Sequence, residues 1–216
     1  VAVAERRERE RVARREAILD AAEELTTQVG YEALRMDAVA EAAELSKGTL
    51  YLYFANKEAL CAGVATRLID RLLPVLEKDL AKTRSGLDGV RQVLQTYCDF
   101  TRENPHHFRF AVTWLSAGER LDDSTESFQL YRERVGRVLQ YAASAIARGQ
   151  ADGSVRSDID PLPHAIQLWS SVLGVMLVDL NKESISQRIP IPVDLDQVVT
   201  LHIDAMTRAL AGKELS

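Results

Sequence analysis

Apolar residues recur along this chain at spacings of three and four, between breaks marked by Gly and Pro, and alternation by two is hard to find. Ile18, Ala21, Ala22, Leu25 and Val29 make one helix face. Leu87, Val90, Val93, Leu94, Tyr97 and Cys98 make a second, and Val135, Val138, Leu139, Ala142 and Ile146 a third. Prolines at 74, 105, 161, 163, 190 and 192 read as helix boundaries or kinks. The fold class is therefore all-α. With 216 residues, 46% of them hydrophobic and 27% charged, a packed core is expected.

Several classes are disfavoured at once. The longest uninterrupted apolar run, Val172 to Val178, is far short of a membrane span, so no membrane partner is expected. Residues 1–15 are charged throughout and do not read as a signal peptide. Two isolated cysteines, Cys61 and Cys98, supply neither a disulfide framework nor a thiolate zinc site, which points to a reducing, cytoplasmic setting. The formal net charge of -5 argues, taken alone, against a protein that coats nucleic acid.

The helices begin short and become long. The pattern predicts helices near 8–29, 36–43 and 46–53, with Gly30 as a left-handed C-cap of the first. Asn56 reads as the N-cap of a helix from Lys57 that ends or bends near Pro74. Longer helices follow near 87–103, 105–117, 123–149, 162–182 and 194–212. Gly149 to Pro161 reads as a loop, and Lys182 to Pro192 as a polar connection. Two domains are expected: an N-terminal arm with a three-helix unit over 1–62, and a larger helical domain over 63–216.

Three short helices with a tight turn between the second and third suggest a helix-turn-helix. Met36, Val39, Ala40 and Ala43 give the second helix its buried stripe; Leu45 fills the turn; Leu50 and Phe54 anchor the third. What remains on the third helix is Ser46, Lys47, Gly48, Thr49, Tyr51 and Tyr53. Small groups, hydroxyls and one cation are what a helix needs to enter a major groove. Residues 16–60 carry only three cations, Arg35, Lys47 and Lys57, against nine acids, and each cation falls at or beside a predicted helix N-terminus. In a helix-turn-helix those ends lie near the DNA backbone. Residues 1–15 add a local +3 from six arginines and three glutamates. DNA binding would thus rest on a few placed cations and an arginine arm, with acidic faces limiting attachment elsewhere.

The run Arg15-Glu-Ala-Ile-Leu-Asp-Ala-Ala-Glu-Glu-Leu, then Gly30-Tyr31, then Met36-Asp-Ala-Val-Ala-Glu-Ala-Ala, then Ser46-Lys-Gly-Thr-Leu-Tyr-Leu-Tyr-Phe and Asn56-Lys-Glu-Ala-Leu resembles the DNA-binding domain of TetR-family transcriptional regulators. The resemblance covers roughly residues 10–65. It implies that the helix at 46–53 is the recognition helix, that Lys47, Gly48 and Thr49 approach bases, that Tyr51 and Tyr53 lie at or near the backbone, and that Lys57 meets phosphate. Three positions depart from the pattern. Glu44 stands where the family usually has Gly; if the turn keeps a positive φ there, the strain is on the order of 1 kcal/mol. Leu34-Arg35 replaces the usual Thr or Ser, exchanging a hydroxyl on phosphate for a guanidinium. Leu52 occupies a position often polar in relatives.

By the same resemblance, the remaining helices form a ligand-binding and dimerisation domain. Leu168, Val172, Val175, Met176 and Asp179 on one late helix, and Val198, Leu201, His202, Ala205 and Ala209 on the other, suit pairing into a four-helix bundle across a two-fold axis. The competing reading buries both stripes in the subunit core. Aromatics gather on the middle helices, and Tyr97, Phe100, Trp114, Tyr131 and Trp169 are the expected pocket residues, for an aromatic or amphipathic effector. No metal or cofactor is expected: His106 and His107 point about 100° apart on a helix, His164 and His202 stand singly, and no catalytic motif is present. The expected function is a dimeric, ligand-released repressor on a pseudo-palindromic operator. The alternatives are a helical small-molecule binding protein without a DNA role, and an all-α enzyme, for which no polar cluster presents itself.

Overall fold

The computed structural model describes residues 2–118, 124–190 and 194–212, and the described residues are helical, with a single isolated bridge between Val155 and Ala211. The order is α1 (Ala2–Ala33), α2 (Met36–Ala42), α3 (Lys47–Tyr53), α4 (Lys57–Leu80), α5 (Gly86–Glu103), α6 (Pro105–Ser116), α7 (Glu126–Asp152), α8 (Pro161–Leu180), α9 (Lys182–Ser186) and α10 (Val198–Leu210), the last preceded by a 3-10 turn over Leu195–Gln197. The expected helix start at 123 and Pro192 lie outside the described residues. The helix expected over 8–29 runs from Ala2 to Ala33, with Gly30 inside it. Of the two outcomes expected at Pro74, the helix from Lys57 does not end there but continues to Leu80, with Leu72 and Leu76 on either side of the proline both buried. The connection after residue 181 contains the short α9.

The chain forms two compact units, one of Val1–Leu68 with His106–Arg134, the other of Ile69–Pro105 with Val135–Ser216. The first unit therefore includes α6 and the start of α7. Its core joins Ile18, Leu19 and Ala22 of α1 with Val39, Leu50, Phe54, Leu60 and Val64, and takes Phe110 and Trp114 from α6. Burial of this apolar surface is the main stabilising contribution. Gly30 breaks the α1 geometry at φ 77°, ψ 173°, a conformation that L side chains rarely adopt, and thereby turns buried Tyr31 and Leu34 into the core. A polar seam also ties α1 to α4 and α6. Arg67 meets Asp20 at 2.6 Å, Glu16 at 3.6 Å and Glu23 at 3.7 Å, while His107 Nε2 lies 2.9 Å from Glu23 Oε1.

In the second unit, α5 packs on α8 and α10, and α8 on α10. Ser85 caps α5 by accepting from Asp88 N–H at 3.1 Å, and the next free donors are satisfied from across the unit. Asp152 accepts from Gly86 N–H at 2.7 Å and Ser154 Oγ from Leu87 N–H at 3.0 Å. The bonds from Ser154 and from Gly86 hold the Asp152 carboxyl below its usual range. The helices approach so closely here that a Cβ on Gly86 would fall within the backbone of Gly149. The same loop holds the end of α10, with Gly212 N–H donating to Ser154 O at 2.8 Å and Arg156 N–H to Leu210 O at 3.0 Å.

Candidate nucleic-acid interface

α2 ends in a left-handed turn that sets the angle of α3. Leu45 N–H donates to Ala40 O at 2.9 Å and Glu44 N–H to Glu41 O at 3.0 Å, the paired bonds of a Schellman motif. Its left-handed residue is Glu44, at φ 54°. The positive φ that glycine would supply is thus kept by a glutamate. After the turn, Ser46 caps α3: its Oγ accepts from Thr49 N–H at 3.1 Å and lies 2.8 Å from Thr49 Oγ1. Leu50 and Phe54 are buried, which fixes the opposite face of α3 outward. Ser46, Lys47, Gly48, Tyr51 and Leu52 are exposed, and Thr49 and Tyr53 are half-buried.

The three cations are differently held. Lys47 Nζ lies 2.7 Å from Asp37 Oδ1, and Arg35 reaches the other oxygen of the same carboxylate at 3.9 Å. The hydrogen bond from Lys47 holds the Asp37 carboxyl below its usual range, and Asp37 in turn raises the Lys47 ammonium. Lys57 sits elsewhere: its Nζ donates to Glu32 O at 3.3 Å and lies 4.3 Å from the centre of the Tyr31 ring. Asp37 and Tyr31 position these cations, and no spacing in the sequence marks either as their partner. Arg35 takes the N-cap position of α2 without a side-chain cap bond. Upstream, α1 carries the arginine arm as exposed helix, with Arg6 paired to Glu10 and Arg11 to Glu8, both at 2.8 Å.

The five expected pocket aromatics do not gather in one place. Tyr97 and Trp169 line a cavity of about 30 Å³ in the second unit, with Val93, Leu94, Leu168 and Val172 among its walls. Phe100 is half-buried against the core beside it. Trp114 and Tyr131 belong to the first unit, where their rings meet edge-on at 5.1 Å and Trp114 stacks with Phe110 at 6.2 Å. Both units need aromatic filling, and composition does not say which core an aromatic joins.

The two late-helix stripes differ in exposure. Leu168, Val172, Val175 and Met176 are buried in their own subunit, as is Asp179, which takes a bidentate pair from Arg102 at 2.8 Å. The outward face of α8 is instead Leu162, Ile166, Ser170, Gly174 and Leu177. α8 is apolar enough, at mean hydropathy 1.3, to cross a membrane by length and composition, and such a helix hides which of its two faces is the core. On α10, Leu201 and Ala205 are exposed, whereas Val198 is half-buried and half-buried His202 lies 3.2 Å from Ser171 Oγ within the subunit. Burial lowers the His202 imidazole.

Comparison with known proteins gives this arrangement a lineage. The profile of bacterial regulatory proteins, tetR family, matches residues 18–64, and that of the tetracyclin repressor-like C-terminal domain matches 90–206. An HTH-type transcriptional regulator of Haemophilus influenzae is 34% identical over 90 residues, 42% of this chain and about half (48%) of that protein's length. The HTH-type transcriptional regulator RutR of Escherichia coli is 28% identical over 161 residues, 74% of this chain and 72% of that one. Among solved structures, the transcriptional regulator FadR from Bacillus subtilis, in complex with stearoyl-CoA, shares the fold with a TM-score of 0.68 at 16% identity, over 90% of this chain and 98% of that one. With one domain match alone spanning more than half of its length, the chain belongs to the TetR family of bacterial transcriptional regulators.

Proposed function

We propose that the chain is a homodimeric repressor that binds a pseudo-palindromic operator in the cytoplasm and is released by an apolar or amphipathic small molecule, acting by binding rather than turnover. Residues 1–62 hold the DNA-reading function and residues 63–216 the effector and dimer functions. The observation that carries this reading is the outward face of α3, with Lys47, Gly48 and Tyr51 exposed over a buried Leu50–Phe54 anchor. In this reading Lys47, Gly48 and Thr49 approach bases, Ser46, Tyr51 and Tyr53 the backbone, and Arg35 and Lys57 phosphate. The partner is a second copy seated on the exposed faces of α8 and α10. Leu162, Ile166 and Leu177 on α8 and Leu201 on α10 are exposed apolar side chains there, and Gly174 lies over open space, which lets a facing helix come close.

The effector enters between α5, α7 and α8, where the cavity walls are aliphatic apart from Tyr97 and Trp169. A volume of about 30 Å³ is far below the roughly 300 Å³ at which ligand pockets begin, so binding parts the lining helices. The stearoyl-CoA held by the FadR structure is consistent with an apolar ligand for this fold. Release follows from the ligand's differential affinity for the two arrangements, whatever its total affinity.

Duplexes selected by the protein from a random pool test the proposal, by mobility shift against random duplex at two salt concentrations. A selected duplex held in preference at both salts supports it. Equal retention of selected and random DNA sinks it.

A further inference from the structure

Leu52 is 85% exposed, the highest of the large exposed hydrophobics among the described residues, and it stands in the last turn of α3. At 3.6 residues per turn, Leu52 lies roughly 160° around α3 from buried Leu50, and Gly48 lies one turn before it on the same line. The outermost ridge of α3 is therefore a glycine followed by a leucine. Lys47 is held by Asp37 at 2.7 Å and the Thr49 hydroxyl by Ser46 at 2.8 Å, so both polar neighbours of that ridge have partners within the protein. A Cβ added at Gly48 would meet nothing closer than Ser46 Oγ at 4.0 Å, so the helix surface beside Leu52 is open and lets an opposing surface reach the side chain.

A scattered surface leucine asks for no explanation. This one is different because of where it points. An apolar side chain offered to the major groove has one apolar feature to distinguish among base edges, the C5-methyl group of thymine. We propose that Leu52 is a specificity-determining residue that packs on a thymine methyl, one in each half-site. The inference rests on the reading of α3 as the DNA-reading helix. It assigns sequence discrimination to an apolar contact, while Lys47 and Thr49 supply polar contacts as they exchange their internal partners for DNA.

The test uses full-length protein and duplexes that the wild type selects from a random pool, with each thymine in turn replaced by deoxyuridine, which removes the methyl and nothing else. At one position per half-site, the uridine duplex is expected to bind wild type on the order of fourfold more weakly, the worth of one buried methyl. Leu52→Ala is expected to lose affinity for the thymine duplex and to show no further loss on the uridine duplex. Its thermal melting and its affinity for random DNA are expected to stay those of wild type, because the side chain it removes touches solvent. Leu52→Gln is expected to shift the selected base at that position toward adenine, whose N6 and N7 accommodate an amide. Wild type that binds thymine and uridine duplexes equally at every position overturns the proposal, as does a Leu52→Ala variant that keeps the thymine preference. A change in oligomeric state on Leu52→Ala also overturns it, in favour of a protein contact. Failure of wild type to select any duplex overturns the DNA-reading role of α3 itself, a result distinct from the other three.

Discussion

Lys47 Nζ lies 2.7 Å from Asp37 Oδ1, a bond between the first residue of α3 and the first turn of α2. Arg35 approaches the same carboxylate at 3.9 Å, so a single acid draws on two of the three cations proposed to meet DNA. In that reading DNA competes with Asp37 for both cations, a base edge for Lys47 and phosphate for Arg35. Asp37→Asn is expected to tighten binding to selected and random duplexes alike. It is also expected to steepen the fall of log K with log salt by about 0.9, the slope of one further neutralised phosphate. An unchanged salt slope, measured by fluorescence anisotropy, would remove Arg35 from the groups that meet phosphate.

The left-handed Glu44 is a second point where the α2–α3 turn works against its own residue. A non-glycine residue at φ 54° carries strain on the order of 1 kcal/mol, and the turn keeps it because two bonds of the Schellman motif require that conformation. Glu44→Gly is expected to stabilise the protein, by up to about 1 kcal/mol, since glycine's larger unfolded-state entropy offsets part of the relief. Denaturant midpoints of the two proteins at equal slope provide the measurement. A lower midpoint for the variant would mean that the Glu44 side chain contributes more than its backbone costs.

Much of the fold was legible in the sequence, and the exceptions share a cause. Periodicity placed α2 and α3 closely, as with 46–53 against Lys47–Tyr53, because one face of each is polar and the other is not, whereas α1, expected over 8–29, runs Ala2–Ala33. At Pro74 periodicity does not choose between an end and a bend, because the burial of Leu72 and Leu76, which outweighs a missing helix bond, is a tertiary property. On α8 the outward face also carries Leu162, Ile166 and Leu177, so the spacing of Leu168, Val172, Val175 and Met176 does not by itself say that this stripe faces the subunit's own core. The surface of α3 was visible from Leu50 and Phe54, which had to be inside. The partners of its cations were not, since Asp37 and Lys47 meet only through the turn between their helices.

Exposure of Leu201, at 58%, beside Ala205 on α10 marks the face on which the second subunit is proposed to sit. Leu201→Asp is expected to leave the melting of the isolated subunit near that of wild type while shifting the sedimentation coefficient from dimer toward monomer. An unpaired carboxylate buried at a two-fold interface appears twice per dimer, and each copy loses hydration. The same variant is expected to lose affinity for a two-half-site duplex far more than for random DNA. Retention of the dimer would place the interface elsewhere.

Arg102 and Asp179 join α5 to the end of α8 through two 2.8 Å bonds, and their burial is unequal: the Asp179 side chain is 7% exposed, the Arg102 side chain 39%. The two truncations should therefore differ. In Asp179→Asn the guanidinium turns to water, whereas in Arg102→Met a buried carboxylate is left without its cation. Arg102→Met is expected to cost about 2 kcal/mol, less than for a fully buried pair because one partner is already half in solvent. The melting temperature would then fall by about 4–8 °C for a chain of this size, with Asp179→Asn losing less. The bond from Arg102 holds the Asp179 carboxyl below its ordinary value, so the folded state binds its proton more weakly than the unfolded state does. The pair's stabilisation is complete above the unfolded carboxylate value near pH ~4 and is lost as pH falls through the lower folded value. In Arg102→Met the lone carboxylate is penalised by burial alone, and protonation relieves it. Melting curves of wild type and Arg102→Met are thus expected to stand apart at neutral pH and converge in acid; a constant gap across that range would show that the arginine acts by packing rather than by charge.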